Sequence, residues 1–242
     1  MANFKTHITT STVLGVGYGA AGVWLLREPS GEVPIATCLL GAGLCSISGI
    51  LPDLDSDSSI PLRETVAFSA AVVPMLMIHR FAHLGLDHEQ MVLVGVALYL
   101  AIRFGFFALL RRYTVHRGMF HSIPAALIAA ELGFLLCSCE TMAPRYYKAG
   151  AVLFGYMIHL TLDELYAIEW RRGRWRLKKS FGTALKFWGT SSFANASTYA
   201  KLAVLALIAF QDPVWMERIE DKLHQGRQLP RTAVETIENI WR

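Results

Sequence analysis

Residues 8–26 read ITTSTVLGVGYGAAGVWLL, a run without a charged side chain that is rich in small residues, with Gly15, Gly17, Gly19, Ala20, Ala21 and Gly22 among larger apolar ones. A helix crosses the hydrocarbon core of a bilayer with about 20 mostly apolar residues, and small residues let such helices approach backbone to backbone. The stretch therefore reads as a membrane span. Lys5 precedes it as it would precede a signal peptide, but no small-residue cleavage site follows, so it reads as a retained helix. Working outward, further runs fall at 35–51 (IATCLLGAGLCSISGIL), at the short 65–79, at 90–110 (QMVLVGVALYLAIRFGFFALL), at 120–138 and at 147–168. A weaker seventh lies at 193–210, where only KLAVLALIAF is apolar. The expected fold is an all-α, polytopic transmembrane bundle of six or seven spans over residues 1–211, followed by a polar tail at 212–242.

Composition agrees. Of 242 residues, 53% are apolar and 17% charged, against about 25% charged in an ordinary soluble domain; mean hydropathy is +0.37. That balance excludes disorder, collagen and a coiled coil. Cys38, Cys45, Cys137 and Cys139 sit in apolar runs without CxxC spacing, so neither a disulfide scaffold nor a zinc ribbon is expected. A net charge of +4 is too small to argue for nucleic acid. Orientation follows the placement of Lys and Arg in short loops. With the N-terminus inside, twelve of these residues fall on the cytoplasmic side and four (Arg27, Arg80, Arg145 and Lys148) on the other.

Those counts use no His or Asp, yet the chemistry-bearing His and Asp residues come out on the same cytoplasmic face. His7 begins the first span. Asp53, Asp55 and Asp57 follow the second in LPDLDSD, where Pro52 disfavours further helix and an extended strand would put all three on one side. His116 and His121 bracket the start of the fifth in HRGMFHS. Five residues apart, they differ by about 140° on a regular helix, so a bend at Gly118 and a helix start at Ser122 and Pro124 are expected. His159 and Asp163 in HLTLDEL are spaced i, i+4 and share one helix face. A paired His and Asp in a span can be a helix clamp, and a lone histidine such as His7 is often a surface group. Four segments delivering such groups to one face favour a ligand set instead. DLDSDSSIPLRE also fits a calcium loop at Asp53, Asp55, Asp57, Ile60 and Glu64, but has Ser58 where that loop needs glycine. His79, His83 and His88 fall on the far side, and Glu131 and Arg103 are explained by pairing or snorkelling. The basic segment 169–189, with Trp170, Trp175 and Trp188 interleaved, suits anionic lipid headgroups at the interface.

The order of THITTS, GILPDLDSDSS, HRGMFHS and HLTLDEL resembles the YdjM-like inner-membrane proteins, described as metal-dependent hydrolases, over about residues 3–190. The likeness extends more distantly to zinc-dependent phospholipase C and P1-type nucleases. By that resemblance His159 and Asp163 match an HxxxD ligand element, and His7, Asp53 and His116 or His121 supply others. Those enzymes are soluble and use a terminal amine and a glutamate that have no assigned counterpart here. The expected metal set is His7, Asp53, Asp55, His116, His121, His159 and Asp163, with Asp55 as the carboxylate that moves a proton. Imidazole with carboxylate suits Zn2+, and also Mn2+ or Fe2+. The expected protein is a multi-pass inner-membrane hydrolase of phosphoester or lipid-headgroup bonds. A transporter, or a structural lipid-binding protein with a non-catalytic metal, are the alternatives.

Overall fold

The computed structural model describes residues 2–26, 33–55, 59–106, 119–137, 139, 141–171, 174–178 and 180–212, with backbone alone at 54–55, 59–65, 106 and 170–171. Among these the chain is mostly helical, with one small hairpin and an irregular stretch over 180–191. Helix α1 spans Phe4–Leu25, α2 Ile35–Ser48, α3 Ser59–Leu76, α4 Ile78–His83, α5 His88–Leu100, α6 Ile123–Leu136, α7 Met142–Leu165 and α8 Ser192–Phe210. A 3-10 turn, Leu51–Asp55, links α2 to α3, and a π-helical stretch, Ala101–Phe106, extends α5. Strands β1 (Ile168–Arg171) and β2 (Arg174–Leu177) form the antiparallel hairpin.

Local chemistry sets the ends of these helices. The Asn3 side chain accepts from the Thr6 amide at 2.8 Å and starts α1. Asp87 and Gln90 form a reciprocal capping box on α5. Ser122 caps α6 with Pro124 in the first turn, as the sequence predicts. α3 runs through Pro74 and stops two residues later.

Each of the seven apolar runs becomes a helix, α4 being a short connector. By length and composition α1, the stretch Ile35–Asp53 and α8 are apolar enough to cross a membrane. α8 is the run that looked weakest in sequence; its helix begins at Ser192 and stays apolar through Phe210. α7 carries Arg145, Lys148, Asp163 and Glu164 at its two ends, which dilutes its hydropathy.

The core is a packing of small residues. The buried face of α1 is His7, Ser11, Gly15, Gly19 and Gly22, a stripe spaced by three or four positions. A Cβ at Gly15 would meet the Ala42 carbonyl oxygen at 2.7 Å, and one at Gly19 would meet the Ala42 methyl at 2.9 Å, so α1 and α2 lie in backbone contact. α2 continues onto α7 through Cys45, Ala151 and Ile158. α6 packs on α7 through Ala126, Tyr156 and Leu160. Tyr18 and Tyr147 each donate to the other's backbone carbonyl, at 2.8 and 2.9 Å, and pin α1 to the N-terminal part of α7.

The contacts give five of the helices a direction. The N-terminal ends of α1, α6 and α8 and the C-terminal ends of α2 and α7 gather at one end of the bundle. There the Gly49 carbonyl meets His159, the Ile123 amide donates to the Lys186 carbonyl at 3.1 Å, and Gly189 lies against Met119. At the other end Arg145 of α7 meets Asp212, just past α8, and Arg80 of α4 joins them. Arg145 and Asp163 are separated by about 27 Å along α7 at 1.5 Å per residue, close to the roughly 30 Å of a hydrocarbon core.

Candidate metal centre

His159 and Asp163 lie one turn apart on the inner face of α7, both buried. α1 lays His7 against them, the 3-10 turn brings Asp53, and the turn before α6 brings His121. His7, His121, His159 and Asp163 are at most 4% exposed, and Asp53 is half-buried. The His7 and His159 rings stack with centroids 3.7 Å apart, and His121 stands edge-on to His159 at 5.5 Å.

The imidazole of His159 has a defined tautomer. Its Nδ1 lies 2.8 Å from the Gly49 carbonyl oxygen. A carbonyl can only accept, so Nδ1 carries the proton and Nε2 presents its lone pair. Nε2 faces Asp53 Oδ1 at 3.6 Å and Asp163 Oδ2 at 3.9 Å. His121 Nε2 lies 3.9 Å from each of Asp53 Oδ1 and Asp163 Oδ2. The other carboxylate oxygen, Asp163 Oδ1, accepts from the Ala2 amide at 3.1 Å and sits 3.2 Å from His7 Nε2.

These distances test whether a cation fits. Buried His159 Nε2 and Asp163 Oδ2 have no hydrogen-bond partner among the described residues, and 3.9 Å is too long for one. Ligand atoms on a tetrahedral ion at about 2.0–2.1 Å sit about 3.3 Å from each other. Two ligand groups satisfy that spacing loosely, with all atoms within 4.8 Å: His7, Asp53 and His159, and His121, His159 and Asp163. A backbone carbonyl holding the far nitrogen of a ligating imidazole is the usual support for such a ligand. The two carboxylates also bring negative charge that a divalent ion would balance. The residues fit a metal.

The structure brings together five of the seven residues expected as ligands. His116 and Asp57 lie outside the described residues, as does the side chain of Asp55. Residues 51–55 of LPDLDSD are not extended. Pro52 sits in the first turn of a 3-10 helix, a position it suits, and successive residues there rotate by about 120°. The alternation expected for a strand therefore does not apply over 51–55. The described backbone from Ser59 onward is helical, which the second half of a calcium loop over 53–64 would not be. His79, His83 and His88 lie on α4 and at the start of α5, away from the cluster.

Three participants carry no sequence signal of their own. The Gly49 carbonyl and the Ala2 amide act through backbone atoms. The Tyr156 hydroxyl donates to the Phe120 carbonyl and so fixes the turn that carries His121; it lies one helical turn before His159, on the same buried face.

Searches of curated proteins and of solved structures return no match to the chain. A family model does match, over residues 1–211, the stretch that holds the helices and all five clustered residues. The chain thus belongs to the YdjM inner membrane protein family.

Proposed function

We propose that this protein is a multi-pass membrane hydrolase whose reaction runs at a divalent-metal centre built by His7, Asp53, His121, His159 and Asp163. The observation that carries the reading is His159, a buried imidazole whose proton is held by Gly49 and whose free nitrogen faces two carboxylates without a hydrogen bond. A bound divalent ion there would supply a Lewis acid that lowers the pKa of a water towards about 7. The protein's part is to hold that chemistry in place. Asp163 is fixed on one oxygen by the Ala2 amide and turns the other to the cluster. Asp53, the least buried of the five, marks the side from which water and substrate enter. Asp55, two residues on, is the carboxylate we assign to proton transfer. The substrate class is a phosphoester or lipid headgroup, because the cluster stands at the end of a membrane bundle rather than at its middle.

The directions of α1, α2, α6, α7 and α8 support a multi-pass bundle, to which we assign α3 and α5 as two further crossings, with the cluster at the cytoplasmic end by the distribution of Lys and Arg. A transport route would need polar groups between the two ends. The buried face of α7 between them is Ala151, Val152, Gly155, Tyr156 and Ile158, which favours a reaction confined to one face.

The test is elemental analysis of detergent-purified protein beside Asp163→Asn and His159→Ala, with hydrolysis of a phosphodiester followed in parallel. The expected result is a stoichiometric divalent ion in the wild type, at least tenfold less in both variants, and turnover that a chelator stops and added metal restores. Equal metal in all three proteins overturns the centre; full metal without turnover overturns hydrolysis alone.

A further inference from the structure

The hairpin that follows α7 has two unlike faces. Its register pairs Ile168 with Leu177 and Trp170 with Trp175, and between them Glu169 with Arg176 and Arg171 with Arg174. Directly opposed residues lie on one face of a ribbon, and neighbours along a strand alternate. One face is thus Ile, Trp, Trp and Leu by position, and the other Glu and three Arg. Two residues of the apolar face are largely exposed, Trp175 at 71% and Leu177 at 63%. A lone two-stranded hairpin is marginal in water, so this ribbon needs a surface to lie on. Its base is tied to the end of α7. The Lys178 amide donates to the Ala167 carbonyl at 2.8 Å, and Lys178 Nζ reaches the Tyr166 carbonyl at 2.9 Å and Glu169 at 3.1 Å. The same end of the bundle presents Phe187 and Trp188, more than half exposed.

We propose that the hairpin 168–177 is an in-plane lipid-binding ribbon, its apolar face sunk at the headgroup boundary of the leaflet next to the metal cluster and its arginine face bound to anionic phospholipid headgroups. Position argues for the bilayer as occupant, because the ribbon leaves α7 after a two-residue turn, at the bundle end where the apolar helices α1 and α8 begin. Charge argues for anionic lipid. Arg174 and Arg176 are exposed, and neither has a carboxylate partner among the described residues that would neutralise both. Tryptophan favours the interfacial zone on which such a ribbon would rest. The inference stands apart from hydrolysis and would hold for a non-catalytic centre.

The experiment uses the full chain in POPC vesicles and takes Trp175 as the difference between wild type and Trp175→Phe. The expected Trp175 signal is quenched by lipid brominated near the top of the acyl chain and shielded from aqueous acrylamide. Energy transfer from Trp175 to trace dansyl-phosphatidylglycerol should exceed that to dansyl-phosphatidylcholine several-fold. Arg174→Gln with Arg176→Gln should keep the depth and bring that ratio close to one. A Trp175 open to acrylamide and untouched by bromolipid would place the ribbon in water and overturn the proposal. Shielding from both quenchers would overturn it too, by assigning the apolar face to a protein surface such as a second copy.

Discussion

At the scale of single residues, the cluster depends on how its side chains are held. His159 could be read from sequence as half of an i, i+4 pair with Asp163, because helix periodicity alone puts the two on one face. Their convergence with His7, Asp53 and His121 could also be anticipated, since all of them fall at the same ends of successive spans. What holds them could not. The Gly49 carbonyl that fixes the His159 tautomer is a backbone atom, and its position follows from where α2 stops. Asp53 reaches the cluster from a 3-10 turn that the Pro52 rule, applied to helix continuation alone, does not foresee. Tyr156 tests this layer of support. Its hydroxyl holds the Phe120 carbonyl and thereby the turn bearing His121. Outer partners of this kind are worth about 10–100-fold in metal affinity. Tyr156→Phe removes one oxygen and leaves the ring packed between α6 and α7, so it should weaken metal binding by about tenfold in a chelator competition while the fold survives. Unchanged affinity would mean that the turn is set by Ser122 and Pro124 alone.

At the scale of elements, the site is placed by how closely α1, α2 and α7 approach. All seven apolar runs were legible as helices because hydrophobic length is a strong signal. The rank of the runs was not, since α7 places its charges at its ends and α8 places its polar residues in its first turns. Close packing makes a sharp prediction for two glycines. A Cβ on Gly155 would collide with the Cys45 carbonyl oxygen and Ser48 Oγ, both in the last turn of α2. A Cβ on Gly43, also on α2, would meet nothing within 4 Å. Alanine is the better helix former by roughly 0.5–1 kcal/mol, so Gly43→Ala should be neutral or mildly stabilising. Gly155→Ala must push α2 away from α7, an overpacking expected to cost about 1–3 kcal/mol. Because Gly49 follows that last turn, the same shift should draw its carbonyl from His159 and lower metal occupancy as well. Thermal unfolding and metal content, measured on both variants, should move together for Gly155→Ala and stay put for Gly43→Ala.

At the scale of the whole molecule, the protein has two polar ends, and the second one was hidden in the sequence. Asp212 reads there as the first residue of a polar tail and Arg145 as one far-side charge. Nothing in local pattern joins residues 67 positions apart. In the fold, the Arg145 guanidinium is fully buried, stacks on the Phe134 ring at 4.2 Å, and grips both oxygens of Asp212 at 2.8 Å. Arg80 adds a third contact at 3.0 Å. These bonds close the far end of α8, whose one buried residue among those described is Thr198; at its other end Asn195 and Tyr199 bond to the backbone of Gly189 and Phe187. The Arg145 hydrogen bonds, with Arg80 behind them, hold the Asp212 carboxyl down at about 2. A depressed carboxylate stabilises the fold fully above its ordinary value near 4, and that contribution drains away as pH falls towards about 2. The docking of α8 should accordingly be constant from pH 7 to about 4 and loosen below it, read as faster amide exchange along 192–210 in detergent. Asp212→Asn should give the same loosening already at neutral pH, since breaking a buried pair strands the Arg145 charge at about 3–5 kcal/mol. Arg80→Gln removes only a partly exposed partner and should change stability by about 1 kcal/mol or less. If Asp212→Asn left α8 exchange as slow as in the wild type, the helix would be held by its lipid-facing or α6 contacts, and the clamp would have no part in closing the bundle.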